Sequence, residues 1–111
     1  MNTNETIYTI SEIKDIVRPV AERHRVGKLA LFGSYARGEA DASSDVDLCV
    51  DGDGITSLFD LGDLYCDLES ALGKQIDLIT LSSLKMHKED PITRKLMINI
   101  DKDKKLIYEK Q

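Results

Sequence analysis

Leu29-Ala30-Leu31-Phe32-Gly33-Ser34-Tyr35-Ala36-Arg37-Gly38 opens with four apolar residues, a run of strand length, and then breaks at a glycine. Ser34 to Arg37 has the composition of a turn opening into a short helix that stops near Gly38. After a polar loop over 39–43, the chain continues Ser44-Asp45-Val46-Asp47-Leu48-Cys49-Val50. From Asp45 onward polar and apolar residues alternate, as in a half-buried strand, so Asp45 and Asp47 share one face. A strand, a tight turn into a helix and a second strand carrying two carboxylates form the centre from which the other elements are read.

On the amino-terminal side, Thr9-x-x-Glu12 is a capping box, and Ile10, Ile13, Ile16, Val17 and Val20 follow at helical spacing. Pro19 falls near the end of this amphipathic helix, where it kinks or shortens it. On the carboxyl side, a Gly/Asp loop over 51–54 leads to Leu58, Leu61, Leu64, Tyr65, Leu68 and Leu72, again at helical spacing, with Gly73 as the C-cap. A third strand is expected over 75–80. Asp90-Pro91 reads as an N-cap followed by a proline in the first helical position, with Ile92, Leu96 and Ile100 as the inward stripe. A charged turn over 101–105 and a last strand over 106–108 complete the pattern. Strands alternating with helices imply an α/β (α+β) fold, a small sheet covered by helices.

Two carboxylates two apart on a strand can approach the same cation, whereas adjacent ones would point to opposite faces. Asp77, in Ile76-Asp77-Leu78-Ile79, is a third acidic residue in a strand whose apolar neighbours suit a sheet interior. Converging carboxylates repel unless cations neutralise them. Two Mg²⁺ ions about 4 Å apart do so, and they also activate an attacking oxygen and stabilise a leaving pyrophosphate. At Gly33-Ser34 the strand gives way to a helix, so backbone amides point outward, the glycine admits phosphate oxygens closely and the serine adds a hydroxyl. Arg37 lies one helical turn on, either an exposed surface cation or a phosphate ligand. Cys49 shares parity with the aspartates, but hard Mg²⁺ prefers oxygen, and a small apolar filler is the expected role. His24 and His87 stand apart from each other and from any carboxylate pattern, and each is expected to be satisfied or solvated.

The 111 residues, 41% apolar, suit one domain spanning 1–111. No run approaches a membrane span, and the amino terminus lacks the basic and apolar regions of a secretory signal, so a cytoplasmic location is expected. The net charge of −5 disfavours direct binding of a nucleic-acid backbone. Cys49 and Cys66 lack CxxC spacing and are expected as reduced packing residues.

The segment Gly33-Ser34-Tyr35-Ala36-Arg37-Gly38, followed by Ser44-Asp45-Val46-Asp47-Leu48, resembles the GSxARG…SDxDL signature of the polymerase-beta-like nucleotidyltransferase superfamily. It is most similar to the minimal nucleotidyltransferase branch, over nearly the whole chain, with no departure at a signature position. The resemblance implies a Mg²⁺-dependent nucleotidyltransferase with a small mixed sheet flanked by helices, the nucleotidyltransferase fold, and two metal ions on Asp45 and Asp47. Asp77 would complete the site near the attacking hydroxyl, Gly33 and Ser34 would hold the triphosphate of ATP, and Arg37 would contact phosphate or substrate. After Asp77 too few residues follow to build an acceptor-binding core, so the acceptor surface is expected on another molecule. Proteins similar to this one accompany a HEPN-type toxin and act as its antitoxin by transferring AMP to a tyrosine hydroxyl. Two other readings stay open: a binding antitoxin without catalysis, and a small-molecule nucleotidyltransferase of the antibiotic-modifying kind, working as an oligomer.

Overall fold

The computed structural model describes residues 6–51 and 57–110. Helix α1 (Ile10–Arg23) begins at the expected capping box: the Thr9 side chain accepts from the Glu12 amide and the Glu12 side chain accepts from the Thr9 amide. Pro19 neither shortens nor ends the helix, which runs on to Arg23. The proline is exposed, while Val20 and Ala21 are buried and hold the last turn by packing. Strand β1 (Lys28–Phe32) passes directly into the five-residue helix α2 (Gly33–Arg37), which Gly38 ends in the left-handed conformation at φ 73°. Strand β2 spans Val46–Asp51, so Asp45 stands just before the strand instead of opening it.

Beyond β2, the expected Gly/Asp loop lies outside the described residues from 52 onward. Helix α3 (Leu58–Leu72) takes Ser57 as its N-cap and ends at Gly73, φ 64°. Leu64, Leu68 and Leu72 are fully buried, each contributing about 1.5–3 kcal/mol relative to exposure. Leu58, expected in the inward stripe, is 82% exposed in the first turn. Cys66 is exposed, not a packing residue, because it falls on the outer side of α3 between Leu64 and Leu68.

Strand β3 (Ile76–Thr80) leads at once into α4 (Leu81–Met86), a helix that periodicity does not announce. Thr80 caps it by accepting from the Ser83 amide. Helix α5 (Pro91–Asp103) starts at the Asp90-Pro91 cap and runs through most of the segment expected as a turn, and β4 (Lys105–Glu109) follows after a single residue. The charged residues of that segment stay helical because Ile100 is buried beneath them and Asp103 is held by Arg37. Ile92 is 79% exposed, so only Leu96 and Ile100 of its stripe turn inward.

The four strands form one mixed sheet in the order β3-β2-β1-β4, antiparallel except for the parallel pair of β2 and β3 joined through α3. The fold class is thus as the alternation of elements implies. On one face α1 and α3 bury Leu29, Leu31, Val46, Leu48, Val50 and Ile76. The other face carries a thinner cluster of Cys49, Leu84 and Ile100, flanked by Phe32, Ile79, Leu96 and Met97. By strand parity Asp47 shares this second, less covered face with Cys49. Among the described residues no helix is long and apolar enough to cross a membrane.

Candidate active site

Three elements meet at the open end of the second face. In the antiparallel ladder Phe32 lies opposite Asp47, so the end of β1 delivers Gly33 beside that carboxylate. Gly33 takes φ +72°, and a Cβ placed on it would run into Asp47 Oδ2. Glycine is required twice, by the backbone angle and by the close approach. In the parallel ladder Asp47 lies opposite Asp77, so the two side chains emerge side by side from β2 and β3. A one-residue slip of β3 would turn Asp77 to the opposite face.

Asp47 feels this crowding. Partial burial, a hydrogen bond shared with Asp77, and the negative charges of Asp77 and Asp45 push its carboxyl up to about 6, while Arg37 acts in the other direction. Two carboxylates that share a hydrogen bond need a proton between them, and a divalent cation is the natural replacement for that proton. The donor set is all oxygen, as Mg²⁺ prefers. Asp45 is half-buried and contributes its field from ahead of the strand. No three His, Cys, Asp or Glu side chains among the described residues are close enough to form a preassembled cation cage. The structure therefore brings Asp47 and Asp77 together and leaves Asp45 beside the pair.

Ser34 is half-buried in the first turn of α2, whose N-cap Phe32 offers no side-chain cap. Arg37 is engaged twice: Nε donates to Glu39 Oε1 at 2.8 Å and Nη1 to Asp103 Oδ2 at 2.8 Å. Asp103 is the less exposed partner, and it ties α2 to the end of α5. Neither acidic residue was singled out by the sequence, and Asp103, 66 positions away, leaves no local signal. Cys49 is buried, and burial pushes its thiol up. It lines a cavity of about 480 Å³ with Ala30, Leu81 and Ile100, and none of the three aspartates borders that cavity. His24 is satisfied, though not apart from carboxylates: Nε2 lies 2.6 Å from Asp67 Oδ2 across the α1–α3 contact.

A mixed sheet that presents paired carboxylates beside a strand-to-helix Gly-Ser turn is the arrangement expected of a nucleotidyltransferase. The nucleotidyltransferase domain family matches residues 10–108, and the chain belongs to that family. It is 43% identical over 81 residues to the protein adenylyltransferase MntA of Thermococcus cleftensis, a match covering 69% of this chain and 82% of the relative. Two solved structures share the fold at lower identity. One is a chain of a toxin-antitoxin crystal structure with AMP-PNP, 21% identical, TM-score 0.66, covering 88% of this chain and 74% of the other. The second belongs to the tri-AMPylated Shewanella oneidensis HEPN toxin in complex with its MNT antitoxin, 18% identical, TM-score 0.63, covering 93% and 75%.

Proposed function

We propose that this chain, as a single domain acting in the cytoplasm, transfers AMP from ATP to a tyrosine hydroxyl of a HEPN-type toxin and so acts as its antitoxin. The observation that carries the reading is the register that sets Asp77 beside Asp47, next to the Gly33 turn. The adenylyltransferase relative and the AMPylated toxin complex support the donor and the partner.

In this reading the attacking hydroxyl oxygen forms a bond to the α-phosphorus, the bond from that phosphorus to the bridging oxygen breaks, and pyrophosphate leaves. Asp45, Asp47 and Asp77 would hold two Mg²⁺ ions, which supply charge neutralisation for the triphosphate and acidify the attacking hydroxyl. Asp77, the most exposed of the three, orients that hydroxyl and receives its proton. The amides at Gly33 and Ser34 and the Ser34 hydroxyl receive the phosphates. Arg37 adds positive potential, and a contact with phosphate displaces its exposed pairing with Glu39, a surface ion pair of small value.

Asp77→Ala is expected to bind nucleotide and partner while leaving the partner unmodified. Mass spectrometry of the toxin decides it: a gain of AMP with the native protein and none with the variant supports transfer. A variant that still neutralises the toxin with no mass change would replace this reading with the binding antitoxin.

Ser34→Ala is expected to raise the KM for ATP with stability changed by less than about 0.5 kcal/mol, since only the hydroxyl of a half-buried serine that caps no helix is lost. Unchanged activity at limiting ATP would confine phosphate binding to the backbone. A stability loss beyond the roughly 0.5–2 kcal/mol of a helix cap would make the serine structural.

A further inference from the structure

Among the described residues the buried charged side chain is Lys74, 7% exposed. A lysine is rarely this buried without a specific partner. Gly73, in the left-handed conformation, ends α3 and directs Lys74 back beneath the turn that precedes β2. There its Nζ donates to the carbonyl of Ala42 at 3.3 Å, across 32 residues of sequence.

The turn that receives this bond is closed locally. The Ser44 amide donates to the Asp41 carbonyl at 3.1 Å, the Asp41 amide to Ser44 Oγ at 2.9 Å, and the Ser43 amide and hydroxyl to Asp41 Oδ1 at 2.9 and 2.7 Å. These bonds shape the turn, and Lys74 ties it to the body of the domain. One residue beyond Lys74 and four beyond Ala42, the Val46 amide donates to the Gln75 carbonyl at 3.1 Å. Lys74 and Gln75 thus anchor the chain at Ala42 and Val46. Asp45 lies between these anchors, outside any helix or strand.

We infer that Lys74 is a positioning residue for the metal site: by holding the Ala42 carbonyl it fixes the 41–44 turn, and through that turn the approach of Asp45 to the cation bound at Asp47. The inference rests on the assignment of Asp45 and Asp47 as cation ligands proposed above. Groups that orient a ligand without touching the metal commonly set its affinity, so a carboxylate on a loop depends on whatever holds the loop. A leucine would fill the space that the Lys74 stem occupies, but only a long side chain with a terminal donor reaches the carbonyl.

Titration of metal-free protein with Mn²⁺, followed by the electron paramagnetic resonance of the free ion, reads this without any turnover. Lys74→Met is expected to weaken Mn²⁺ binding by about tenfold, the lower end of what loss of an outer-shell partner costs. Lys74→Arg, which keeps a long stem and donors, should recover most of it, and Asp47→Asn should lose binding altogether. Amide exchange at Ser43 and Ser44 should quicken in Lys74→Met and not in Lys74→Arg. Thermal melts show whether the variants fold; where Met does not, Lys74→Gln, too short to reach Ala42, takes its place with the same expectation. Wild-type Mn²⁺ affinity in Lys74→Met, or equal losses in the Met and Arg variants, overturns the role of Lys74. Wild-type affinity in Asp47→Asn overturns the metal assignment beneath it.

Discussion

Asp47→Asn is expected to abolish nucleotidyl transfer while making the metal-free protein more stable. The activity side follows from charge: asparagine keeps the volume but removes the negative oxygen that the proposed cations need, and a loss of roughly a thousandfold or more corresponds to about 4 kcal/mol of transition-state stabilisation. The stability side follows from the pKa. Asp47 ionises near the ordinary 3.8 when unfolded and at about 6 in the fold. The folded state therefore binds the proton more tightly, and stability falls as pH rises from about 3.8 to about 6, with the full penalty above that window. Half-exposure reduces the penalty to about 1–2 kcal/mol. At pH 7.5 the variant should melt roughly 5 °C above the native protein, and near pH 4 the difference should vanish. Melting curves at the two pH values, without divalent ions, measure it. A variant that melts lower at pH 7.5, or that keeps Mg²⁺-dependent transfer, contradicts the arrangement of the site.

Gly33→Ala is expected to damage both stability and transfer, and Gly38→Ala is its control. Both glycines have nearly the same backbone angle, φ 72° and φ 73°. An alanine at either position bears the left-handed strain of about 1–2 kcal/mol. At Gly38 the added methyl meets open space, whereas at Gly33 it meets the Asp47 carboxylate. There the methyl forces the Asp47 side chain to shift, which adds to the backbone strain and displaces a carboxylate central to the proposed chemistry. Gly38→Ala should thus lose stability alone, while Gly33→Ala should lose more stability and nearly all transfer. Denaturant midpoints with a transfer assay separate the two. Equal midpoints would show that Asp47 swings away freely, and the close approach would then carry no constraint.

Features whose causes lie within a few residues were legible in the sequence. The Thr9–Glu12 capping box, the glycine C-caps at Gly38 and Gly73 and the Asp90-Pro91 start of α5 are decided by bonds spanning three or four positions. The shared face of Asp47 and Cys49 follows from strand parity. The dense GSxARG…SDxDL match is also a local pattern, and the family it indicated is the one to which the chain belongs. Helix α4, despite its Thr80 cap, leaves no periodic signal, because six residues are too few to show a helical period.

What only the tertiary structure decided is which distant groups meet. The register of β3 on β2 places Asp77 beside Asp47, and the packing of α5 on α2 gives Arg37 its Asp103. The return of the chain after α3 brings Lys74 beneath Ala42, and the α1–α3 contact gives His24 its Asp67. Packing also exposed Leu58, Ile92 and Cys66, which periodicity or composition alone would have turned inward. A local window specifies which face of an element is apolar. How far a neighbouring element extends over that face, and in what register, depends on the packing of the whole sheet with its helices.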